Sequence, residues 1–187
     1  MLHAARELFL ERGYAGVALS HVVRRSGGSL ATLYDLFGNK AGLLRAVVTE
    51  GRDDDLGEID RYIAEGHPPR AVLRHMAALF HAKMSAHDRA GLVRIVLAES
   101  LSDPEFARAF HEQVRMPAIE HLAGLLGRWT AEGRAAIDRP LDAAEQFFAL
   151  VMQNEVGALC CTGTEPRPEP LSIDWRIAPF LSHYRID

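Results

Sequence analysis

Cysteine and long apolar runs are the two features that the sequence most clearly lacks. Its only cysteines, Cys160 and Cys161, are adjacent, so they cannot build a disulfide framework and have no partners at zinc-ligand spacing. No uncharged segment approaches the roughly 20 residues that span a bilayer, and no cationic stretch precedes a long apolar run. We therefore expect a soluble protein of the reducing cytoplasm, without a membrane partner.

The sequence also lacks the motifs that common hydrolases and nucleotide-binding enzymes need. It has neither a Gly-x-Ser-x-Gly nucleophile elbow nor a glycine-rich phosphate loop. His75, His81 and His87 are six residues apart, which does not place them on one helical face as the i, i+4 spacing of zinc ligands does. We therefore predict that the chain is not an enzyme and binds no metal or other cofactor.

Aromatic residues make up only 7% of the 187 residues, and β-branched runs are short. Ala, Leu, Arg and Glu dominate instead, which favours helices over sheets. The net charge of −4 argues against a protein that coats nucleic acid indiscriminately. Residues 1–50 nevertheless carry six basic and four acidic side chains, although acids outnumber bases by 25 to 21 in the whole chain. This asymmetry is typical of a chain that touches DNA with one end only.

Apolar residues recur at helical spacing in the N-terminal segment, where they predict three short helices at 1–12, 18–26 and 29–36. Gly13 and the pair Gly27-Gly28 separate these helices, and Ser29 is a good N-cap for the third. Two short helices around a glycine turn form a helix-turn-helix, whose second helix enters the major groove of DNA.

A fourth helix, capped by Asn39, is predicted to run from Lys40 past Gly51 to about Ile63 as a rigid lever. Further helices are predicted at about 70–86, 90–101, 104–132 with a kink at Met116-Pro117, 142–161 and 171–185. The predicted fold is all-α, with an N-terminal three-helix DNA-binding domain that contains the helix-turn-helix. The long fourth helix joins it to a C-terminal helical ligand-binding and dimerisation domain. The two domains are expected at 1–46 and 47–187.

The N-terminal residues carry a specific pattern, which reads Ala5-x-x-Leu8-Phe9-x-x-x-Gly13-Tyr14 and then Val22-x-x-x-Ser26-Gly27-x-Ser29-x-x-Thr32-Leu33-Tyr34-x-x-Phe37-x-Asn39-Lys40-x-x-Leu43-Leu44. Over residues 1–50 this pattern resembles the DNA-binding domain of the TetR/AcrR family. The segments 92–99, 104–106 and 143–148 look like the C-terminal domain of AefR-like members. The resemblance implies a dimeric bacterial transcription regulator that binds operator DNA and a small effector.

The resemblance assigns DNA phosphate contacts to Ser29, Thr32, Tyr34 and Lys40. A physical argument supports the same role for Lys40. A cation beside a helix N-terminus is repelled by the positive end of the helix dipole, so an external anion such as a phosphate stabilises it. Three simpler roles stay open at this stage, namely a solvated Lys40, a partly buried Tyr34 ring and Ser29 as a cap alone.

The candidates for reading bases are Ser20, His21, Leu30, Ala31, Thr32 and Asp35. Leu30, Ala31 and Thr32 suit the methyl groups of thymine by apolar contact. Asp35 either accepts from a cytosine amino group or points away from phosphate. Ser20 and His21 open the second helix, although His21 is equally an idle exposed side chain. Because no Thr or Ser precedes that helix, we also expect Ser20 or water to satisfy its first amides.

The remaining helices supply a wide apolar interior, which is either core packing or the wall of an effector pocket. The pocket candidates are Met76, Phe80, Met84, Val93, Leu97, Phe106, Phe110, Met116, Trp129 and Met152. The polar candidates among the pocket residues and beside them are His75, His81, Glu99, His111, Gln113 and the indole of Trp129. We expect no Arg or Lys inside, so apolar or cationic effectors are favoured over anionic ones.

The helices predicted at 142–161 and 171–185 are the expected dimer elements. The first presents an apolar girdle wider than a single core-facing stripe requires. Its proposed interface residues are Ala144, Phe147, Phe148, Val151 and Leu159. Two such helices from each subunit form an isologous four-helix bundle.

These features lead to two functional hypotheses. In the first, the chain is a homodimeric repressor that a small apolar effector releases from operator DNA. In the second, it is a helical ligand-binding or protein-interaction module that retains the fold without DNA-binding activity. Binding to the DNA that adjoins its own gene discriminates between them.

Overall fold

The computed structural model describes residues 1–85, 87–160 and 172–187, with side chains described at all of these except 85, 87 and 153–160. Every regular element within these ranges is a helix, which confirms the all-α class. The helices are α1 (Leu2–Arg12), α2 (Leu19–Ser26), α3 (Leu30–Phe37), α4 (Lys40–Thr49), α5 (Arg52–Ala64), α6 (Pro69–Ser85), α7 (His87–Ser102), α8 (Pro104–Phe110), α9 (Met116–Ala131), α10 (Pro140–Cys160) and α11 (Ile173–His183). None of the described helices is both long and apolar enough to cross a membrane.

Packing divides the chain into two compact units that do not follow the order of the sequence. The first unit contains Met1–Arg52 together with His87–Val114, and the second contains Asp53–Ala86 together with Arg115–Asp187. Helices α7 and α8 therefore pack with the N-terminal helices. The functional division at residues 46 and 47, into DNA-binding and effector domains, stays a prediction.

The core of the first unit is centred on α1, which packs against α2, α4 and α7. Ala5, Leu8 and Phe9 are buried there, so the apolar face that helical spacing predicted for α1 is confirmed. Helices α7 and α8 contribute the remaining buried members of the same cluster, which are Leu92, Val96 and Phe106. The helix-turn-helix thus shares its core with residues far away in the sequence.

The long fourth helix predicted from the sequence is wrong. Helix α4 ends at Thr49, and α5 begins at Arg52. Between them Gly51 has a φ of 77°, a conformation that glycine adopts without the steric cost of a side chain. The guanidinium of Arg89, on α7, donates to the carbonyls of Val48 and Glu50, and so satisfies backbone acceptors that the helix end leaves without partners.

The single helix predicted at 104–132 is interrupted before Met116-Pro117, and a kink at that pair itself stays a prediction. A π-helical turn at His111–Arg115 separates α8 from α9. Pro117 lies in the first turn of α9, where its missing N–H costs no intrahelical hydrogen bond. At the other end of α8, Asp103 Oδ1 accepts from the backbone amide of Phe106 at 3.1 Å, which fixes where the helix begins.

The second unit is built from α5, α6, α9, α10 and α11 around one apolar cluster. Helix α10 packs against α6, α9 and α11. The ring centroids of Phe147 and Phe180 lie 5.5 Å apart in an edge-on arrangement, which joins α10 to α11.

A cation also lies inside this second core, and the expected interior without Arg or Lys is therefore wrong. Arg176 is only 3% exposed, and its Nη1 donates to the carbonyl of Val151 at 2.8 Å. A buried charge is tolerated when hydrogen bonds replace its hydration. The sequence did not reveal this because the partner carbonyl, that of Val151, lies 25 residues away along the chain.

Candidate nucleic-acid interface

Helices α2 and α3 form the predicted helix-turn-helix. The turn between them contains Gly27 and Gly28, with φ angles of 74° and 97°. Residues with side chains rarely adopt these angles, so the two glycines permit the tight reversal that brings α3 beside α2.

The third helix begins at Ser29, as predicted. Ser29 Oγ accepts from the backbone amide of Thr32 at 3.1 Å and lies 3.0 Å from Thr32 Oγ1. The serine therefore caps the helix, which the sequence had left as one of two possible roles. Its hydroxyl and that of Thr32 lie together at the N-terminal end of α3, and their contact with DNA stays a prediction.

Helix α3 is held to the first unit by Leu33, which is fully buried. The six other residues at 30–32 and 34–36 are exposed. Tyr34 is 52% exposed, so its ring is accessible although it is still partly covered by the protein. A short helix with one buried anchor and an otherwise exposed surface has most of its side chains available to an external partner.

His21 contacts the backbone at the start of α2, which Ser20 was expected to do. His21 Nδ1 accepts from the backbone amide of Ala18 at 3.3 Å. The side chain of His21 is therefore engaged at the N-cap residue, while satisfaction of the first amides of α2 by Ser20 or water stays a prediction. Ser20 is exposed. Base reading by either residue stays a prediction.

Arginine side chains on α2 differ in their availability. Arg25 forms a two-pronged ion pair with Glu11 on α1, with nitrogen–oxygen distances of 2.8 and 3.0 Å. Hydrogen bonding to Arg25 lowers the pKa of the Glu11 carboxyl. This pair braces α2 against α1, and it leaves the exposed Arg24 as the neighbouring basic side chain on α2.

Lys40 begins α4, whose N-cap is Asn39 as predicted. Asn39 Oδ1 accepts from the backbone amide of Gly42 at 2.8 Å. The ammonium nitrogen of Lys40 lies 4.3 Å from the centroid of the Tyr14 ring. Partial burial lowers the pKa of Lys40, and the negative charge of Glu99 opposes this change. Lys40 is therefore packed against the protein rather than freely solvated.

The predicted pocket residues do not form one group. Phe106 and Phe110 stack in the first unit at a centroid distance of 6.0 Å, and Val93 and Leu97 belong to α7 of the same unit. The remaining pocket candidates lie in the second unit, namely Met76, Phe80, Met84, Met116, Trp129 and Met152. The effector-binding role of either set stays a prediction.

The polar candidate His75 lies in a partly buried polar cluster of the second unit. Its Nε2 lies 2.9 Å from Glu58 Oε1, and its ring stacks on Tyr62 at 4.4 Å. These three residues, with Arg61 and Glu65, line an open groove of about 250 Å³. In the described part of the chain, no three His, Cys, Asp or Glu side chains are grouped to hold a metal ion.

The predicted dimer residues on α10 need a correction. Ala144, Phe147 and Val151 are fully buried within their own chain, because α10 packs against three helices of the second unit. They therefore offer no surface to a second subunit. Phe148 is partly buried against Phe80 at a centroid distance of 5.5 Å. The side chain of Leu159 lies outside the described residues.

Two features of the site escaped the sequence analysis. The first is the contact of Tyr14 with Lys40, which requires knowledge of how α1 and α4 pack. The second is Leu36, an exposed apolar residue of α3 that follows Thr32 by four residues. Its helical spacing from Thr32 was visible in the sequence and could have identified it.

Comparisons with known proteins agree with this geometry. Residues 1–47 match the family described as bacterial regulatory proteins, tetR family. Residues 71–186 match the AefR-like transcriptional repressor, C-terminal domain. The HTH-type transcriptional regulator UidR of Escherichia coli (strain K12) is 26% identical over 107 residues, which cover 57% of this chain and 53% of UidR. The chain thus spans about half the length of the curated relatives that it matches first.

Solved structures resemble the whole chain. A protein of Mesorhizobium loti described as a TetR-family transcriptional regulator superimposes with a TM-score of 0.75 at 23% identity, over 98% of this chain and 94% of that one. The flavonoid-responsive regulator FrrA gives a TM-score of 0.65 at 27% identity, over 97% and 93%. Since the AefR-like match alone covers more than half of the sequence, the chain belongs to the TetR family of bacterial transcriptional regulators, with a C-terminal domain of the AefR-like type.

Proposed function

We propose that the chain represses transcription by placing α3 in the major groove of an operator. The observation that carries this proposal is the exposure of nearly the whole of α3 around the single buried anchor Leu33. The major groove is wide enough to admit one helix. Ser29, Thr32, Tyr34 and Lys40 bind phosphates, which fix the position of the helix on the duplex.

Base reading is assigned to the N-terminal half of α3. Leu30, Ala31 and Thr32 are all exposed there, and their apolar groups fit the methyl group of thymine. Asp35 follows on the same exposed helix and suits the amino group of cytosine. We propose the cytoplasm as the site of action, since operator DNA is found there.

The regulator acts as a homodimer in this proposal. The buried residues of α10 leave this role to the exposed parts of α10 and α11. Trp175 is 64% exposed on α11, and Leu141 is exposed at the start of α10. Large apolar residues at such exposure favour a covered surface, and a two-fold interface between copies of these helices covers both.

The effector is a small, mainly apolar molecule in this proposal. The second unit offers Met76, Phe80 and Trp129 as apolar lining, and the buried Arg176 is already bonded to the backbone of Val151. The structural relative FrrA is named as flavonoid-responsive, which supports an effector of this character. Effector binding lowers DNA affinity, by a coupling free energy of about 1–3 kcal/mol typical of allosteric proteins.

Fluorescence anisotropy with labelled DNA that adjoins the gene tests the proposal. The wild type is expected to bind, and Lys40→Ala to weaken binding to all sequences while reducing the salt slope by about one, because one phosphate contact is lost. Lys83→Ala is the matched control, since Lys83 pairs with Asp55 in the second unit. Absence of binding to the adjoining DNA and to any site selected from a random library favours a module without DNA activity.

Calorimetry tests the effector arm, with a flavonoid as the first probe. Linkage requires operator DNA to reduce flavonoid affinity by the same factor by which the flavonoid reduces DNA affinity. Equal flavonoid affinities with and without operator contradict an allosteric switch for this class of molecule.

A further inference from the structure

An aromatic series crosses the first unit from α8 to the N-terminal helices. Tyr14 contacts Phe9 and Phe106, each at a ring-centroid distance of 5.9 Å, and Phe106 in turn stacks on Phe110. Phe106 is buried, so the position of the Tyr14 ring depends on where α8 begins. The capping of α8 by Asp103 fixes that beginning.

The same Tyr14 ring supports the ammonium group of Lys40. The distance of 4.3 Å between Nζ and the ring centroid lies within the roughly 6 Å over which a cation is attracted to an aromatic face. The first turn of α4 is an unfavourable place for a cation, because the helix dipole is positive there. The negative face of the ring offsets this repulsion and restricts the long lysine side chain.

We propose that Tyr14 is a positioning residue for DNA binding, whose ring, set in place by Phe106 of α8, holds the Lys40 ammonium where it meets a DNA phosphate. This inference rests on the proposed function for the phosphate contact. It adds that helix α8 adjusts operator affinity through the contact of Phe106 with Tyr14 in the turn after α1, without touching DNA itself.

Charge near this contact supports the arrangement. Burial raises the pKa of the Tyr14 hydroxyl, and the charges of Glu99 and Asp103 raise it further. Glu99 also acts on Lys40, in the direction that favours its charged form. Glu99, near the end of α7, thus acts electrostatically on both partners of the contact, whereas Asp103 acts on Tyr14.

A double-mutant cycle on operator DNA tests the proposal. Tyr14→Leu is expected to weaken binding about two- to five-fold, the range typical of an exposed cation–aromatic contact. Tyr14→Phe retains the ring face and should bind as the wild type does. In a Lys40→Ala background Tyr14→Leu should cause no further loss, because the two residues act as one. An equal loss in both backgrounds overturns the proposal and leaves Tyr14 a purely structural residue.

A second measurement needs no DNA. The sequence has two lysines, Lys40 and Lys83, so the ε-methylene signals of both are readily assigned by NMR. Lys40 is expected upfield of Lys83, since its Nζ lies over the Tyr14 ring and the ε-methylene bonded to it is close enough to feel the ring current. Tyr14→Leu should abolish this difference, and Phe106→Leu should reduce it. Coincident lysine signals in the wild-type protein overturn the contact itself. Separated signals in a wild-type protein that binds no DNA instead overturn the proposed function, and with it the role of this contact in DNA binding.

Discussion

Truncation of Phe106 to alanine should destabilise the helix-turn-helix, although Phe106 lies outside the N-terminal 52 residues. Its ring is buried against Tyr14 and Phe110 in the first unit. Removal of a buried phenylalanine side chain typically costs about 3–5 kcal/mol, which includes the cavity that remains. A cost of about 3 kcal/mol corresponds to a rise of roughly 150-fold in the population of the opened unit. Such a rise is large enough to resolve by hydrogen exchange.

Native-state hydrogen exchange measures this change helix by helix. Amide protection in α1, α3 and α4 should fall by about two orders of magnitude in Phe106→Ala, whereas α9 and α11 should keep theirs. Leu101→Ala is the matched control, because Leu101 is 89% exposed in the same segment and its loss should change little. Phe180→Ala should give the opposite pattern, since Phe180 is buried in the second unit. Loss of protection in α9 and α11 of the Phe106 variant, with α1 to α4 unchanged, refutes the assignment of α8 to the first unit.

Three further predictions concern the DNA surface, the dimer and the acid response. Replacing Ala31 or Thr32 by serine should change the DNA sequence selected from a random library, because the methyl groups of these residues are assigned to contacts with thymine. An unchanged selected sequence shows that other residues read the bases. Trp175→Glu should convert the homodimer to monomers in sedimentation, since a carboxylate in an apolar interface stays unpaired; an intact dimer locates the interface on other helices. Hydrogen bonding to Arg74 lowers the pKa of Asp174. The ion pair therefore stabilises the second unit at pH values above the ordinary pKa of an aspartate. This stabilisation is lost as the pH falls through the lowered pKa of Asp174, because the carboxylate becomes protonated. In urea unfolding, Arg74→Ala should therefore be less stable than the wild type at neutral pH and equal to it in strong acid, and a difference that persists in acid contradicts this.

The parts of the fold that the sequence predicted are those that depend on neighbouring residues. The apolar face of α1 and the caps at Ser29 and Asn39 follow from spacings of three or four residues, and all three are present in the structure. The helix-turn-helix was predictable for the same reason, since its glycines, cap and buried leucine lie within a short segment.

Features that depend on distant residues were missed or predicted wrongly. The sequence predicted that α4 continues past Gly51, whereas the helix ends at Thr49, where Gly51 has a positive φ and Arg89 of α7 donates to the carbonyls of Val48 and Glu50. Helical spacing did mark α10 as apolar on a wide face, but it could not tell whether α6, α9 and α11 or a second subunit covers that face. Arg176 was missed because nothing in its neighbourhood along the chain indicates that Val151 provides a partner.

The first unit is assembled from two stretches of chain, Met1–Arg52 and His87–Val114, and this has a consequence for protein engineering. Chimeric regulators are made by transplanting an N-terminal head from one relative to another. A transplant of residues 1–52 alone carries the recognition helix but separates Tyr14 from Phe106 and Val48 from Arg89. A transplant that preserves these contacts therefore needs both segments of the first unit. The second segment, His87–Val114, must be included because it contains Phe106 and Arg89, the contact partners of Tyr14 and Val48.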